Sequence, residues 1–167
     1  MKNSKVKKVA YLSIFVSLAL IVSYIESQIP TFIPVPGIKL GLPNIVIIFL
    51  LYKTSAKDAV IVNILRVFIS ALLFGNMVSL LYSISGAFLS LTLMIILKKL
   101  TKLSKITVSV IGGVSHNIGQ IIMASIVTST AELVYYLPAL LISGTISGIV
   151  IGIVSAGLVK KLENVEL

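Results

Sequence analysis

The sequence predicts an all-α, polytopic membrane protein: a six-transmembrane-helix bundle with a proline-rich outer loop between helices 1 and 2. Three observations predict it. The 167 residues are 57% hydrophobic and 11% charged, with a mean hydropathy of +1.13, whereas a soluble domain carries about 25% charged residues. The apolar residues form long runs, several near the roughly 20 residues a spanning helix needs, without the alternation of a β-barrel. The basic residues gather between alternate runs, as cytoplasmic segments do.

The first run, Val9–Glu26, follows the basic stretch Met1–Lys8. A secretory signal begins in the same way, but this run is long for one and no small-x-small cleavage site follows it. It is therefore expected to stay as the first helix. Its Ala10, Ser13 and Ser17 lie close to one face, small enough to let another helix approach.

Pro30–Asn44 comes next and holds four of the five prolines, Pro30, Pro34, Pro36 and Pro43. Proline lacks an amide hydrogen and turns the residue before it away from helix. The segment is expected to cap the outer mouth of the bundle and return the chain into the bilayer at Gly41–Asn44. The second helix, Gly41–Tyr52, is short and depends on that cap for its outer end.

The remaining helices are expected at Ala56–Phe74, Met77–Leu97, Ile106–Thr128 and Tyr136–Val159. With the N-terminus inside, 12 of the 14 basic residues lie on the cytoplasmic side, leaving Lys39 and Arg66. Both termini are then cytoplasmic, and the net charge of +9 reflects topology rather than nucleic-acid binding. In the last helix Gly144, Gly148, Gly152 and Ala156 recur every four residues. That spacing serves packing within the bundle or docking on another membrane subunit.

Polar groups at membrane depth carry the functional reading. Arg66 sits near the middle of the third helix, where an arginine costs about 2.5–3.5 kcal/mol. Asn63, Arg66 and Ser70 share a face. The fifth helix offers His116, Asn117 and Gln120, and the outer edge offers Glu26, Lys39 and Asn44. Arg66 has no acid expected at its own depth, so a ligand's phosphate or carboxylate is its expected partner. The alternative is a bond to helix-end carbonyls or to Asn117, and a Glu26–Lys39 ion pair could hold down the cap. The expected ligand set is Lys39, Asn44, Asn63, Arg66, His116, Asn117 and Gln120, with Lys39 steering anions at the mouth.

Catalytic and metal chemistry find little support. One histidine, five acids and no cysteine do not make a metal site. Ser115 and His116 are sequence neighbours that project in different directions, so they form no nucleophilic dyad. There is no GxxxxGK[ST] loop for ATP.

Glu26, the proline-rich loop, IKLGLPN at 38–44, the Asn63/Arg66 face, Gly86 and GGVSHNIGQ at 112–120 resemble the Gx transporter family, often labelled heptaprenyl diphosphate synthase component I. More distantly, the topology resembles the substrate-binding S components of energy-coupling factor transporters. That resemblance implies a subunit of a bacterial plasma membrane that binds a small anionic, partly apolar cofactor, such as a flavin, from outside. It would dock through Ala10, Ser13 and Ser17 on a shared membrane subunit driven by two cytoplasmic ATPases. Serines stand where those families carry alanines. The synthase label implies instead an accessory subunit of isoprenoid synthesis or a prenyl phosphate carrier. Either way the expectation is a non-enzyme with no intrinsic cofactor, carrying a flavin or prenyl phosphate as ligand. Prenyl chain elongation needs acid clusters around magnesium, and Asp58 is the sole aspartate. A purely structural scaffold is a third reading, disfavoured by an arginine at mid-depth.

Overall fold

A computed structural model describes residues 2–29 and 39–165 of the chain. The described residues are all-helical: α1 (Lys2–Gln28), α2 (Asn44–Lys53), α3 (Ala56–Phe74), α4 (Met77–Leu100), α5 (Lys105–Thr128), a 3-10 segment (Ala131–Tyr136) and α6 (Leu137–Lys161). The expected cap formed by Pro30, Pro34 and Pro36 lies outside these residues.

Four stretches are long and apolar enough to cross a bilayer: Lys5–Gln28, Met77–Leu100, Lys105–Thr128 and Ala131–Lys161. These helices make the chain a membrane protein. The other two differ from the expected spans for physical reasons. α2 has only 10 residues, and α3, at 19 residues, carries Lys57, Asp58 and Arg66.

The ends of the helices also differ from the sequence reading. α1 starts within the basic N-terminal stretch, because lysines are good helix formers. α2 begins at Asn44 rather than Gly41. Gly41 adopts φ +86°, a left-handed conformation, and the Asn44 amide closes a turn onto its carbonyl at 2.9 Å. The 3-10 segment occupies much of the expected outer connection Ser129–Tyr135.

α2 lies at the centre. Val46–Leu51 are all buried, and a helix apolar all round belongs in an interior. Ser155 of α6 donates to the Ile45 carbonyl at 3.1 Å, tying α2 to α6. α1 runs along α3 and α2 and leaves a broad apolar face outward, with Val9, Ile14 and Ile21 more than half exposed. At the end of the bundle that holds the N-terminus, Lys8 pairs with Asp58 at 2.7 Å and the Tyr11 hydroxyl donates to the same carboxylate at 3.1 Å. Ser55 caps α3 there, accepting from the Asp58 amide.

α5 packs between α4 and α6. Its contact with α6 is backbone on backbone: a Cβ on Gly113 would fall 2.5 Å from the Gly144 carbonyl oxygen. Ser109 of α5 donates to the Gly148 carbonyl at 2.7 Å. The glycine ridge of α6 is therefore occupied inside the bundle, the small-residue packing of membrane helices. Gly157 lies beyond that contact, with open space around it.

Candidate functional site

The residues that return the chain into the bundle, Lys39 to Asn44, are held by buried side chains from two helices. Glu26, near the end of α1, accepts from the Gly41 amide at 2.5 Å and from the Leu42 amide at 3.0 Å through one carboxylate oxygen. From α5, Gln120 takes both backbone groups of Lys39: its amide nitrogen donates to the carbonyl at 3.1 Å and its oxygen accepts from the N–H at 3.3 Å. His116 sits one turn before Gln120 and packs against Gly41 and Gly86. Asn44 starts α2 beside Gly41 and is buried.

This arrangement changes the meaning of several residues. Glu26 is bonded to backbone amides, and among the described residues no Glu26–Lys39 ion pair forms. Gln120 clamps the chain at Lys39. Asn117 points the other way, donating to the Leu140 carbonyl of α6 at 2.7 Å beside Gly144, so it belongs to the α5–α6 contact.

Beneath the clamp lies Arg66, 5% exposed. Its guanidinium donates to the Asn63 side-chain oxygen at 2.7 Å, closing an i to i+3 pair on α3. This is neither a helix-end carbonyl nor Asn117. As expected, no acid pairs with Arg66 among the described residues; Glu26 lies close enough to Arg66 and Lys39 for each to feel its charge, without direct contact. Burial pulls the Lys39 ammonium below the usual lysine range, against the opposing pull of Glu26. Arg66 adds a like charge nearby, and His116 lies within the same field.

The cluster thus holds two basic side chains, Lys39 and Arg66, around one carboxylate. Among the described residues, three of its buried atoms have no hydrogen-bond partner: Glu26 Oε2, Arg66 Nε and His116 Nδ1. A buried donor on a guanidinium is costly to leave unmade, so Arg66 Nε is positioned to receive an acceptor that the described residues do not supply. A phosphate or carboxylate oxygen fits that role, because a planar guanidinium binds such groups bidentately.

Asn63, the partner of Arg66, also lines a cleft between α3 and α4. The cleft has a volume of about 400 Å³, and its walls include Val60, Asn63, Val67, Ala87 and Leu91. Thr92 is the other polar residue on its walls. Sequence periodicity marks these as core-type positions but gives no sign that α3 and α4 stand apart here. The residues expected as a docking face, Ala10, Ser13 and Ser17, are all exposed on α1, far along the chain from the clamp.

Among the described residues no group of three His, Cys, Asp or Glu could hold a metal ion. Comparison with curated proteins and with solved structures gave no match. Over residues 15–158, which include Glu26, the clamp, Arg66 and the whole of the α3–α4 cleft, the chain matches the family described as heptaprenyl diphosphate synthase component I, and it belongs to that family.

Proposed function

We propose that this protein is the membrane-embedded, non-catalytic component of a prenyl diphosphate synthase, and that it holds the phosphate end of an isoprenoid at Arg66. The observation that carries this reading is the cluster of Lys39, Arg66 and Glu26, in which the buried Arg66 Nε lacks a partner among the described residues. An isoprenoid phosphate brings the missing anion and also an apolar chain suited to a membrane bundle. Asn63 orients the guanidinium, Lys39 adds charge at the mouth, and Glu26 and Gln120 hold the backbone that covers the site. His116 and Asn44 complete its walls.

Chain elongation itself belongs to a partner. The five acids of this chain are dispersed along it, whereas diphosphate chemistry with magnesium needs clustered carboxylates. The family description, a component I, fits a two-component enzyme. In this reading all six helices are embedded in a bacterial plasma membrane with both termini cytoplasmic, since the lysine-rich ends lie on that side.

The test is mass spectrometry of lipids released from gently purified protein. A polyprenyl phosphate or diphosphate released from the wild type, and lost from Arg66→Ala, supports the reading. An empty protein that also fails to bind added farnesyl diphosphate overturns it.

A second reading keeps a different partner. α1 exposes Ala10, Ser13 and Ser17, and both serines turn their hydroxyls back onto their own helix, to the Val9 and Ser13 carbonyls at 2.9 and 3.0 Å. That leaves a smooth face for another membrane helix. This favours a transport subunit that carries an anionic, partly apolar cofactor such as a flavin and docks on a shared membrane subunit with two cytoplasmic ATPases. A yellow preparation that releases riboflavin, FMN or FAD would select it.

A further inference from the structure

The cleft between α3 and α4 is partly open, with exposed side chains of both helices on its walls. Its walls follow one face of each helix, residues 60, 63, 64, 67 and 68 on α3 and 84, 87, 88, 91, 92 and 95 on α4. At 1.5 Å per residue it runs for about 12–16 Å along the helices. The rim carries Phe88, 73% exposed, and Phe68, 48% exposed, one from each helix. Its volume of about 400 Å³ falls in the range of small-molecule sites.

We infer that this cleft admits a polyprenyl chain laterally from the membrane, and that the chain lies along α3 and α4 with its phosphate directed past Asn63 to Arg66. The inference rests on the isoprenoid reading of the Arg66 site and adds the route and the lipid class. Three features select this occupant. The cleft is lined by apolar side chains apart from Asn63 and Thr92, so it suits a hydrocarbon. On its wall Asn63 accepts through its side-chain oxygen from the buried Arg66, which sets a positive charge directly behind that point of the cleft. Arg66 lies 10 residues from the start of α3 and 8 from its end, about 12–15 Å from either end of that helix. A phospholipid would have to drag its glycerol and whole headgroup to that depth, at high cost in hydrocarbon. A single-chain isoprenoid carries only its phosphate there.

The experiment places a photoreactive benzoylphenylalanine at position 88 in protein reconstituted in phosphatidylcholine nanodiscs, with radiolabelled geranylgeranyl diphosphate as probe. The probe is expected to crosslink at position 88 and to be competed by unlabelled geranylgeranyl diphosphate. Ile64→Trp and Ala87→Phe fill the cleft from opposite walls. Each should weaken binding of the probe about tenfold or more, equivalent to about 1.4 kcal/mol, and leave binding of inorganic diphosphate unchanged. Ile64 is 52% exposed, so its replacement does not disturb the core.

Crosslinking to phosphatidylcholine alone, or full probe affinity in both filled variants, overturns the lateral route. If Arg66→Ala abolishes binding while the filled variants bind normally, the Arg66 site stands and the cleft does not. If no variant changes binding, both the cleft and the isoprenoid reading fall.

Discussion

Gln120 of α5 binds both backbone groups of Lys39, two residues 81 positions apart in the chain. With Glu26 on the adjacent amides of Gly41 and Leu42, it fixes the point where the chain turns back into the bundle. Buried backbone groups left without partners each cost free energy comparable to a lost hydrogen bond. Two side chains, one an acid and one an amide, satisfy them.

Gln120→Leu should therefore loosen the return segment. It removes two hydrogen bonds, each contributing about 0.5–1.5 kcal/mol. Hydrogen exchange at residues 39–42 is expected to quicken, with a modest fall in melting temperature. Unchanged protection there would show that Glu26 alone holds the segment.

Arg66→Ala should leave the fold intact and weaken binding of a prenyl phosphate more than tenfold. Bonds to a charged group contribute about 1.5–3 kcal/mol, which corresponds to roughly 10- to 150-fold in affinity. Arg66→Lys keeps the charge but loses the planar fork, so it should recover only part of the affinity. Isothermal titration in nanodiscs reads both. Equal affinities for all three proteins would remove Arg66 from the site.

The α5–α6 contact predicts a contrast between two glycines. A side chain at Gly113 meets the Gly144 carbonyl oxygen at 2.5 Å, whereas Gly157 has nothing within 4 Å. Gly113→Val should destabilise by about 1–3 kcal/mol or more, as overpacking does. Gly157→Ala should be neutral or slightly stabilising, since alanine favours helix over glycine. Thermal unfolding in detergent compares them, and similar melting temperatures would contradict the packing described.

Asp58→Asn should free the basic end of α1. The carboxylate receives both the Lys8 ammonium and the Tyr11 hydroxyl, and an amide cannot pair with the ammonium. Faster hydrogen exchange over the first turns of α1 is expected, while α3 stays capped by Ser55. If exchange in α1 is unchanged, apolar packing alone holds that helix.

Much of the architecture was legible in the sequence because the bilayer imposes simple rules. Runs of apolar residues gave helices within a few residues of their observed ends at α3, α4 and α5. The glycines of α6 recur at a spacing that a close helix contact uses. The short α2 was also readable, with Pro43 and Gly41 before it. Its start was misplaced by three residues because left-handed Gly41 and Pro43 belong to a turn rather than to the helix.

The site was legible only as a set of polar residues at depth. Asn63 and Arg66 could be paired from helical spacing alone. Partners across the bundle could not: periodicity places Asn117 and Gln120 on neighbouring positions of one helix, and only packing decides that Asn117 turns to Leu140 while Gln120 turns to Lys39. Glu26 was judged too near the outer surface to meet Arg66, yet it reaches inward to the return segment.

By itself the sequence determined the membrane class, the helices, the buried arginine and the family. Each of these follows from local composition, from period or from a motif, all read along one strand of chain. Tertiary structure decided which polar groups are used up in holding the chain and which remain unpartnered, and it opened the α3–α4 cleft. Those outcomes depend on which helices touch, and contact between helices is set by how whole faces fit together in the bundle.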